Sequence, residues 1–218
     1  MQKLTFGVSV LVIGLICAQA AAQDEIPEEA RKQVSQALGG PFLVYRDKVQ
    51  EDLKLSKEQK EKLNEHLKEG LPDHMKFFEG LGEKKAEERE KELKAYREKA
   101  HEKLAAVLKD GLKDGQHKRL RQLVLQQEGP FALGSEEVGK QLKITDEQRK
   151  QFMAVVQEMQ KKIQRLAEKA QKEGKPEEIR PKVMEVRKEY AGKVEAILSA
   201  EQKKQWKEML GKPLDLDD

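Results

Sequence analysis

Apolar residues recur every three or four positions along four long stretches of this chain, with charged residues between them. The first stretch contains Leu63 and Leu67 and is expected to end near Gly70. The other three have apolar stripes at Leu93, Tyr96, Ala100, Leu104 and Val107; at Phe152, Val155, Met159, Ile163, Leu166 and Ala170; and at Ile179, Val183, Val186, Tyr190, Val194 and Ile197. Because an α-helix turns once every 3.6 residues, such stripes predict amphipathic helices. The sequence therefore predicts an all-α fold of long amphipathic hairpins in thin, antiparallel packing.

Glycines and prolines separate these stretches and bound several shorter helices. Gly80 and Gly82 are expected to end helices, and Pro72 is expected in a first turn, where its missing N–H costs nothing. Gly174 and Pro176 are expected to separate the third and fourth long helices into a hairpin. Shorter helices are predicted at about 27–38, 44–53, 72–79, 114–127, 135–142 and 200–210.

A short pattern recurs at three of the predicted helix starts. It reads Leu55-Ser56-Lys57-Glu58-Gln59, Ile144-Thr145-Asp146-Glu147-Gln148 and Leu198-Ser199-Ala200-Glu201-Gln202. In each copy the hydroxyl can accept from the backbone N–H three residues on, while the glutamine side chain reaches back to the N–H of the hydroxyl residue. This arrangement is a capping box, and losing such a cap costs about 1 kcal/mol. We interpret the three pairs, Ser56 with Gln59, Thr145 with Gln148 and Ser199 with Gln202, as structural.

The chain also repeats itself at a longer period. Gly40-Pro41-Phe42 returns as Gly129-Pro130-Phe131, and the same shift of 89 positions aligns Leu53–Ser56 with Leu142–Thr145. Farther on, the apolar residues of the second and fourth long helices match at a shift of 90. We therefore predict a leading half-unit over 23–42, a first unit over 43–131, a second unit over 132–214 and a tail over 215–218.

A degraded copy of the capping pattern lies within the predicted first unit. It reads Leu112-Lys113-Asp114-Gly115-Gln116, with Leu120 where the copy near the C-terminus has Trp206. A lysine side chain cannot accept a hydrogen bond, so Asp114 is predicted to be the cap.

The first residues have the layout of a secretory signal peptide. Lys3 precedes an apolar run from Leu4 to Ile16, and small residues follow, so cleavage is expected after Ala22 or, as a second choice, Ala20. The alternative of a membrane anchor is disfavoured because a span needs about 20 apolar residues. Lipidation at Cys17 is a further alternative, but the preceding residue is bulky. Cleavage would remove the one cysteine and leave an exported chain without a stable membrane span.

Composition narrows the class of partner. Charged residues make up 38% of the chain, but their net charge is only +3, and a nucleic-acid protein needs a concentrated basic stripe. Basic residues do cluster at His117, Lys118, Arg119 and Arg121. We interpret them either as a solvated helix face or as a positive patch for acidic clients or an anionic envelope surface, formed together with Lys203, Lys204 and Lys207. No nucleic-acid partner is predicted.

The capping copies and their spacing resemble the Spy/CpxP-type LTxxQ family of exported helical proteins. The motifs at Thr145–Gln148 and Ser199–Gln202 match the family pattern of one motif opening the first long helix and one opening the last; the first unit matches cleanly only up to Gln59. The pattern is also similar to exported proteins of planctomycete-type bacteria. The resemblance implies thin, curved helical hairpins that pair as dimers and either bind unfolded proteins without ATP or damp envelope stress signalling. Some members bind zinc.

No catalytic or cofactor chemistry emerges from the sequence. The four histidines, His66, His74, His101 and His117, lack the spacing of a zinc pair on one helix face and are interpreted as solvated. No carboxylate pair in an apolar setting, phosphate loop or nucleophile is recognised, so no enzyme, cofactor or metal site is predicted.

Two apolar features remain as candidates for holding a client. Phe77 and Phe78 are predicted at an apolar hairpin tip, and Trp206 is the one tryptophan. Each either binds exposed apolar client segments or packs in the core or a dimer contact. Lys118, Arg119 and Arg121 complete the candidate client-binding set.

These observations favour a periplasmic, ATP-independent, chaperone-like or envelope-stress binding protein whose partners are unfolded or partly folded proteins. The alternatives are a metal-responsive or sensor-kinase-binding regulator and a structural envelope protein. The resemblance implies a homodimer. This sequence departs from the family by having two units in one chain, from which we predict an intrachain pseudo-dimer as the alternative.

Overall fold

The structure is a computed structural model that describes residues 26–82, 84, 86–174 and 178–216. All regular structure among these residues is helical, so the predicted all-α class is confirmed. The predicted signal segment, 1–22, lies outside them. None of the described helices is both long and apolar enough to cross a bilayer.

Nine α-helices and two 3₁₀ segments follow one another in the described residues. They are α1 (Glu28–Leu38), a 3₁₀ segment (Gly40–Tyr45), α2 (Asp47–Asp52), α3 (Lys57–Leu81), α4 (Ala86–Gly111), α5 (Asp114–Glu128), a second 3₁₀ segment (Gly129–Gly134), α6 (Glu136–Gln141), α7 (Asp146–Glu173), α8 (Ile179–Ala196) and α9 (Ala200–Leu210). Both 3₁₀ segments, the short helices after them and the starts of α3 and α7 recur at the shift of 89 seen in the sequence. Lys54 and Lys143, also 89 apart, share a left-handed φ of 51°.

The predicted break near Gly70, the separate helix over 72–79 and the first-turn position of Pro72 are wrong, because α3 continues through Gly70 and Pro72 to Leu81. The buried stripe of this helix passes the glycine without interruption, from Leu67 to Leu71 to His74. Gly70 has a packing role instead. The His74 ring lies against it, with Nε2 3.1 Å from where a Cβ would stand.

The described residues form two compact units, one over 26–124 with 214–216 and the other over 125–213. The division thus falls inside α5, whereas the sequence suggested a boundary between 131 and 132. The leading half-unit belongs to the first unit, since Ile26, Val34, Leu38 and Phe42 are buried in its core.

The first unit has the larger core. Its leading segment packs on α3 and α4, where Leu67 and Leu104 are fully buried. Arg97 of α4 donates to the Ala37 carbonyl at 2.7 Å and His101 to the Leu38 carbonyl at 3.0 Å, which satisfies two carbonyls at the end of α1.

The second unit is built on α7 and α8, which pack side by side in opposite directions, since Gln148 at the start of one contacts Ile197 at the end of the other. A cluster around Leu142, Val194 and Trp206 lies at this end. A smaller cluster of Met159, Val186 and Tyr190 lies farther along the pair.

Candidate binding surface

The candidate site begins with the capping motifs, which the structure forms as predicted. Ser56 with Gln59 and Ser199 with Gln202 make complete capping boxes at the starts of α3 and α9. At the start of α7, the Gln148 N–H donates to Thr145 Oγ1 at 3.2 Å and the Thr145 N–H donates to Gln148 Oε1 at 3.0 Å. One predicted cap is wrong. Asp114 is the first residue of α5, and Lys113 occupies the cap position: its carbonyl accepts from the His117 N–H at 2.9 Å and its N–H donates to Gln116 Oε1 at 2.9 Å.

The glutamines of these motifs also join two helix starts in each unit. In the second unit, Gln148 Nε2 donates to Gln202 Oε1 at 2.7 Å and Gln202 Nε2 donates back to Gln148 Oε1 at 3.1 Å. The same amides donate to the carbonyls of Ile197 and Leu142. Each glutamine oxygen therefore accepts both the local cap N–H and the partner amide, while each NH₂ group donates to tertiary partners.

The first unit contains the same reciprocal pair. Gln59 Nε2 donates to Gln116 Oε1 at 2.8 Å and Gln116 Nε2 donates back at 3.2 Å, while Gly111 and Leu53 supply the backbone carbonyls. Gln116 thus corresponds to Gln202, at a shift of 86. The shift of 86 is four residues shorter than the shift of 90 that aligned the apolar stripes. Four residues are about one helical turn, so both alignments place the same face of the helix toward the core.

An apolar cavity lies beside the glutamine pair of the second unit. We call it the apolar cavity; its volume is about 250 Å³. It is lined by Leu133, Gly134, Ile144, Gln148, Arg149, Phe152, Met153, Val194, Ile197 and Leu198. Arg149 is the one charged lining residue. Met153 is 56% exposed. Among the described residues, the other large apolar side chain that is mostly exposed is Met184 of α8.

The corresponding place in the first unit holds a different cavity. Its lining includes Tyr45, Lys60 and Asn64, which stand 89 positions before Gly134, Arg149 and Met153. That cavity is polar, because Arg31 and Asp47 form an ion pair there. Asn64 Oδ1 also accepts from the Ile26 N–H at 3.3 Å, whereas its counterpart in the second unit is the exposed Met153.

The two units have side chains of different size at two equivalent positions, and this difference shapes the apolar cavity. In the first unit Tyr45 is 1% exposed, and the smaller Leu63 stands at the position equivalent to Phe152. In the second unit Gly134 replaces the tyrosine and Phe152 replaces the leucine. The Phe152 ring covers the glycine, and its Cε1 lies 2.7 Å from where a Cβ would stand. A side chain at residue 134 would therefore displace this ring.

Three of the four histidines predicted to be solvated, His66, His74 and His101, instead contact hydrogen-bond partners within the first unit. His74 is 8% exposed, its Nδ1 lies 2.6 Å from the Tyr96 hydroxyl, and its ring meets Phe42 edge-on. His66 Nδ1 lies 2.6 Å from the Tyr45 hydroxyl. We call these five residues, with His101, the histidine–aromatic cluster.

Burial dominates the electrostatics of this cluster. The pKa of His74 is lowered from 6.5 to about 4, first by burial and then by the nearby His66, while Asp73 acts in the opposite direction. Burial also lowers the pKa of His66 and raises the pKa of Tyr96 to about 12. These pKa shifts favour the neutral forms of the two histidine rings and of the Tyr96 hydroxyl. The part of the chain that the structure describes contains no group of three potential metal ligands.

No family model, no curated protein and no solved structure matches this chain.

Most of the other predicted client-binding residues are engaged within the fold. Trp206 is 4% exposed in the core of the second unit, so it offers no client surface. Arg119 makes a two-point ion pair with Asp52, with Nε 2.6 Å from Oδ2, which takes it out of the proposed basic patch. Lys118 is exposed and Arg121 is half-buried.

Phe77 and Phe78 are half-buried rather than free at a tip. The Phe77 ring stacks on Tyr96 at 3.7 Å between centroids, and Phe78 packs against the core of the first unit. The sequence analysis missed Gly134, Phe152 and Met153. Comparing the two units position by position would have found them, because the shift of 89 pairs Tyr45 with Gly134 and Asn64 with Met153.

Proposed function

We propose that this chain is an exported, non-enzymatic binding protein that holds apolar segments of unfolded or partly folded proteins without ATP, in a chaperone-like or envelope-stress role. The observation that supports it is the apolar cavity of the second unit, with Met153 exposed on its wall. A cavity of this size admits one or two apolar side chains of a client, and burying each contributes about 1.5–3 kcal/mol. Such a site favours transient, sequence-tolerant binding.

The geometry of the cavity fits reversible binding in a second way. Methionine has three rotatable bonds and a polarisable sulfur, so it adapts to side chains of different shape. Met153 is exposed where its counterpart in the first unit is an asparagine bonded to the leading segment. The polar counterpart cavity is therefore unsuited to the same ligand, and binding is assigned to the second unit.

A matched pair of variants tests this role. The chain beginning at Gln23 is added at stoichiometric amounts, without ATP, to an aggregating unfolded protein. We expect it to slow light scattering, and Met153→Asp to weaken client binding about tenfold because a carboxylate at an apolar wall must stay hydrated. Met184→Asp should retain protection, since Met184 is also exposed, at 62%, but lies outside the cavity lining.

Equal loss in both variants would point to general destabilisation and count against the cavity. No protection by the unmodified chain at several-fold excess would remove the proposed function altogether. The export part of the proposal is checked separately, by the mass of the chain recovered from the cell envelope with Gln23 as its first residue.

A further inference from the structure

The segment after α9 lies on the first unit in a non-helical conformation. Residues 213–216 have no regular secondary structure, and Leu214 and Leu216 pack against the first-unit core. Asp215 between them is exposed. Both leucines pack against the same core, so they face one surface of the first unit.

A specific hydrogen bond anchors this segment. Arg46 Nη2 donates to the Leu216 carbonyl at 2.6 Å, and the arginine is half-buried. The contact is to the main chain, so it does not depend on which side chain stands at residue 216. Recognition of the backbone by an arginine and of alternate side chains by an apolar surface is the physics of extended-peptide binding.

The two units differ at the position of this arginine. Ser135, the counterpart of Arg46 at the shift of 89, caps α6 by accepting from the Val138 N–H. Arg46 stands at the same cap position of α2 without a side-chain cap bond. The first unit therefore has, in place of a local cap, a guanidinium that reaches residue 216.

We propose that Arg46 and the adjoining apolar surface of the first unit form a second docking site, which takes an extended segment of another polypeptide with two branched apolar side chains two residues apart. Leu214–Leu216 is its tethered occupant. An incoming segment of the same pattern displaces it. This site is separate from the apolar cavity and does not depend on the function proposed for that cavity.

The test uses a fluorescein-labelled peptide with the sequence of residues 212–218, Lys-Pro-Leu-Asp-Leu-Asp-Asp. Its fluorescence anisotropy is measured with the full chain and with a chain ending at Pro213. A tethered segment competes at an effective concentration in the millimolar range, so we expect the truncated chain to bind the peptide about tenfold more tightly or better. A peptide with both leucines replaced by serine should not bind either chain.

Two further variants keep the proposal falsifiable if truncation disturbs folding. Leu214→Ser with Leu216→Ser in the full chain should free the surface and raise peptide affinity as truncation does. Arg46→Ser in the truncated chain should lower affinity about tenfold while circular dichroism shows unchanged helix content. Binding that is equal for the leucine and serine peptides, or absent from both freed chains, would overturn the docking site.

The outcomes separate this inference from the proposed function. Peptide binding by the truncated chain with no protection of a client leaves the docking site in place and removes the chaperone-like role. Protection that depends on Met153, with no peptide binding by either freed chain, does the reverse.

Discussion

In the histidine–aromatic cluster of the first unit, burial shifts the pKa values of His74, His66 and Tyr96. His74 is buried between Phe42 and Tyr96. Its ring also lies so close to Gly70 that a Cβ at this residue would stand 3.1 Å from Nε2. Protonation would place a charge where burial has removed most of the water that would solvate it. This burial could not be predicted from the sequence, because a histidine on a charged helix looks the same whether its face is buried or exposed.

This burial predicts a loss of stability on acidification. His74 binds its proton near pH 6.5 when unfolded but only near pH 4 when folded, so its contribution is complete above pH 6.5 and falls as the pH drops toward 4. The difference corresponds to roughly 3 kcal/mol. Urea unfolding followed by circular dichroism between pH 7 and 4 should show this decline, and His74→Gln should make it shallower.

His117→Gln, on α5 and outside the histidine–aromatic cluster, is the matched control for replacing a histidine by glutamine. A His74→Gln chain with the same pH dependence as the unmodified chain would show that His74 is not the group responsible. The slope is the readout, because the substitution also removes the hydrogen bond to Tyr96 and lowers stability at every pH.

At the scale of elements, the tertiary hydrogen bonds of the NH₂ groups explain why the capping motif ends in glutamine. A glutamate would complete a capping box equally well, because only an acceptor is needed to reach back to the cap N–H. The NH₂ group of glutamine adds donors, which Gln148 uses for Ile197 and Gln202. The sequence predicted the cap from local spacing, but not the partner, since the paired helix starts are over 50 residues apart.

Gln148→Glu separates the two roles of this side chain. The carboxylate keeps the local cap but faces the Ile197 carbonyl and Gln202 Oε1 without a donor, so we expect a loss of about 1–3 kcal/mol in the free energy of unfolding. Trp206 fluorescence reports it, because Trp206 lies in the adjacent core. Gln151→Glu, an exposed change of equal charge on α7, should cost less than about 0.5 kcal/mol.

Equal stability of these two variants would mean that the glutamine pair contributes only a local cap. A double substitution with Gln202→Ala gives a second check. The combined loss should be smaller than the sum of the two single losses, because both remove the same reciprocal hydrogen bonds.

At the scale of the whole molecule, apolar burial is unevenly distributed between the units. The first unit covers α3 and α4 with its leading segment, and Leu63, Leu67 and Leu71 are at most 3% exposed. The far part of the α7–α8 pair has a cluster of only three buried residues, Met159, Val186 and Tyr190. Few buried contacts mean a low free energy of local opening.

Hydrogen exchange should therefore differ along the chain. Amides of residues 160–170 in α7 are expected to exchange faster than those of residues 63–71 in α3, as measured by mass spectrometry of peptic fragments at neutral pH. Residues 202–210, next to the buried Trp206, should remain protected and serve as the internal reference. Equal or slower exchange over 160–170 would contradict this reading of the core.

The sequence by itself determined the helices and their starts. Spacing of 3.6 residues, capping pairs and a repeat of 89 positions are local signals, and they act wherever the segment ends up. It also fixed the differences between the units, such as Tyr45 against Gly134 and Arg46 against Ser135.

Only the tertiary structure decided what those differences do. Packing carried α3 across Gly70 and Pro72, buried His74 and Trp206, and paired Arg119 with Asp52. It opened an apolar cavity beside Phe152 and laid Leu216 against Arg46. The physical reason is that burial and hydrogen-bond partners depend on residues far apart in the chain, which no local pattern encodes.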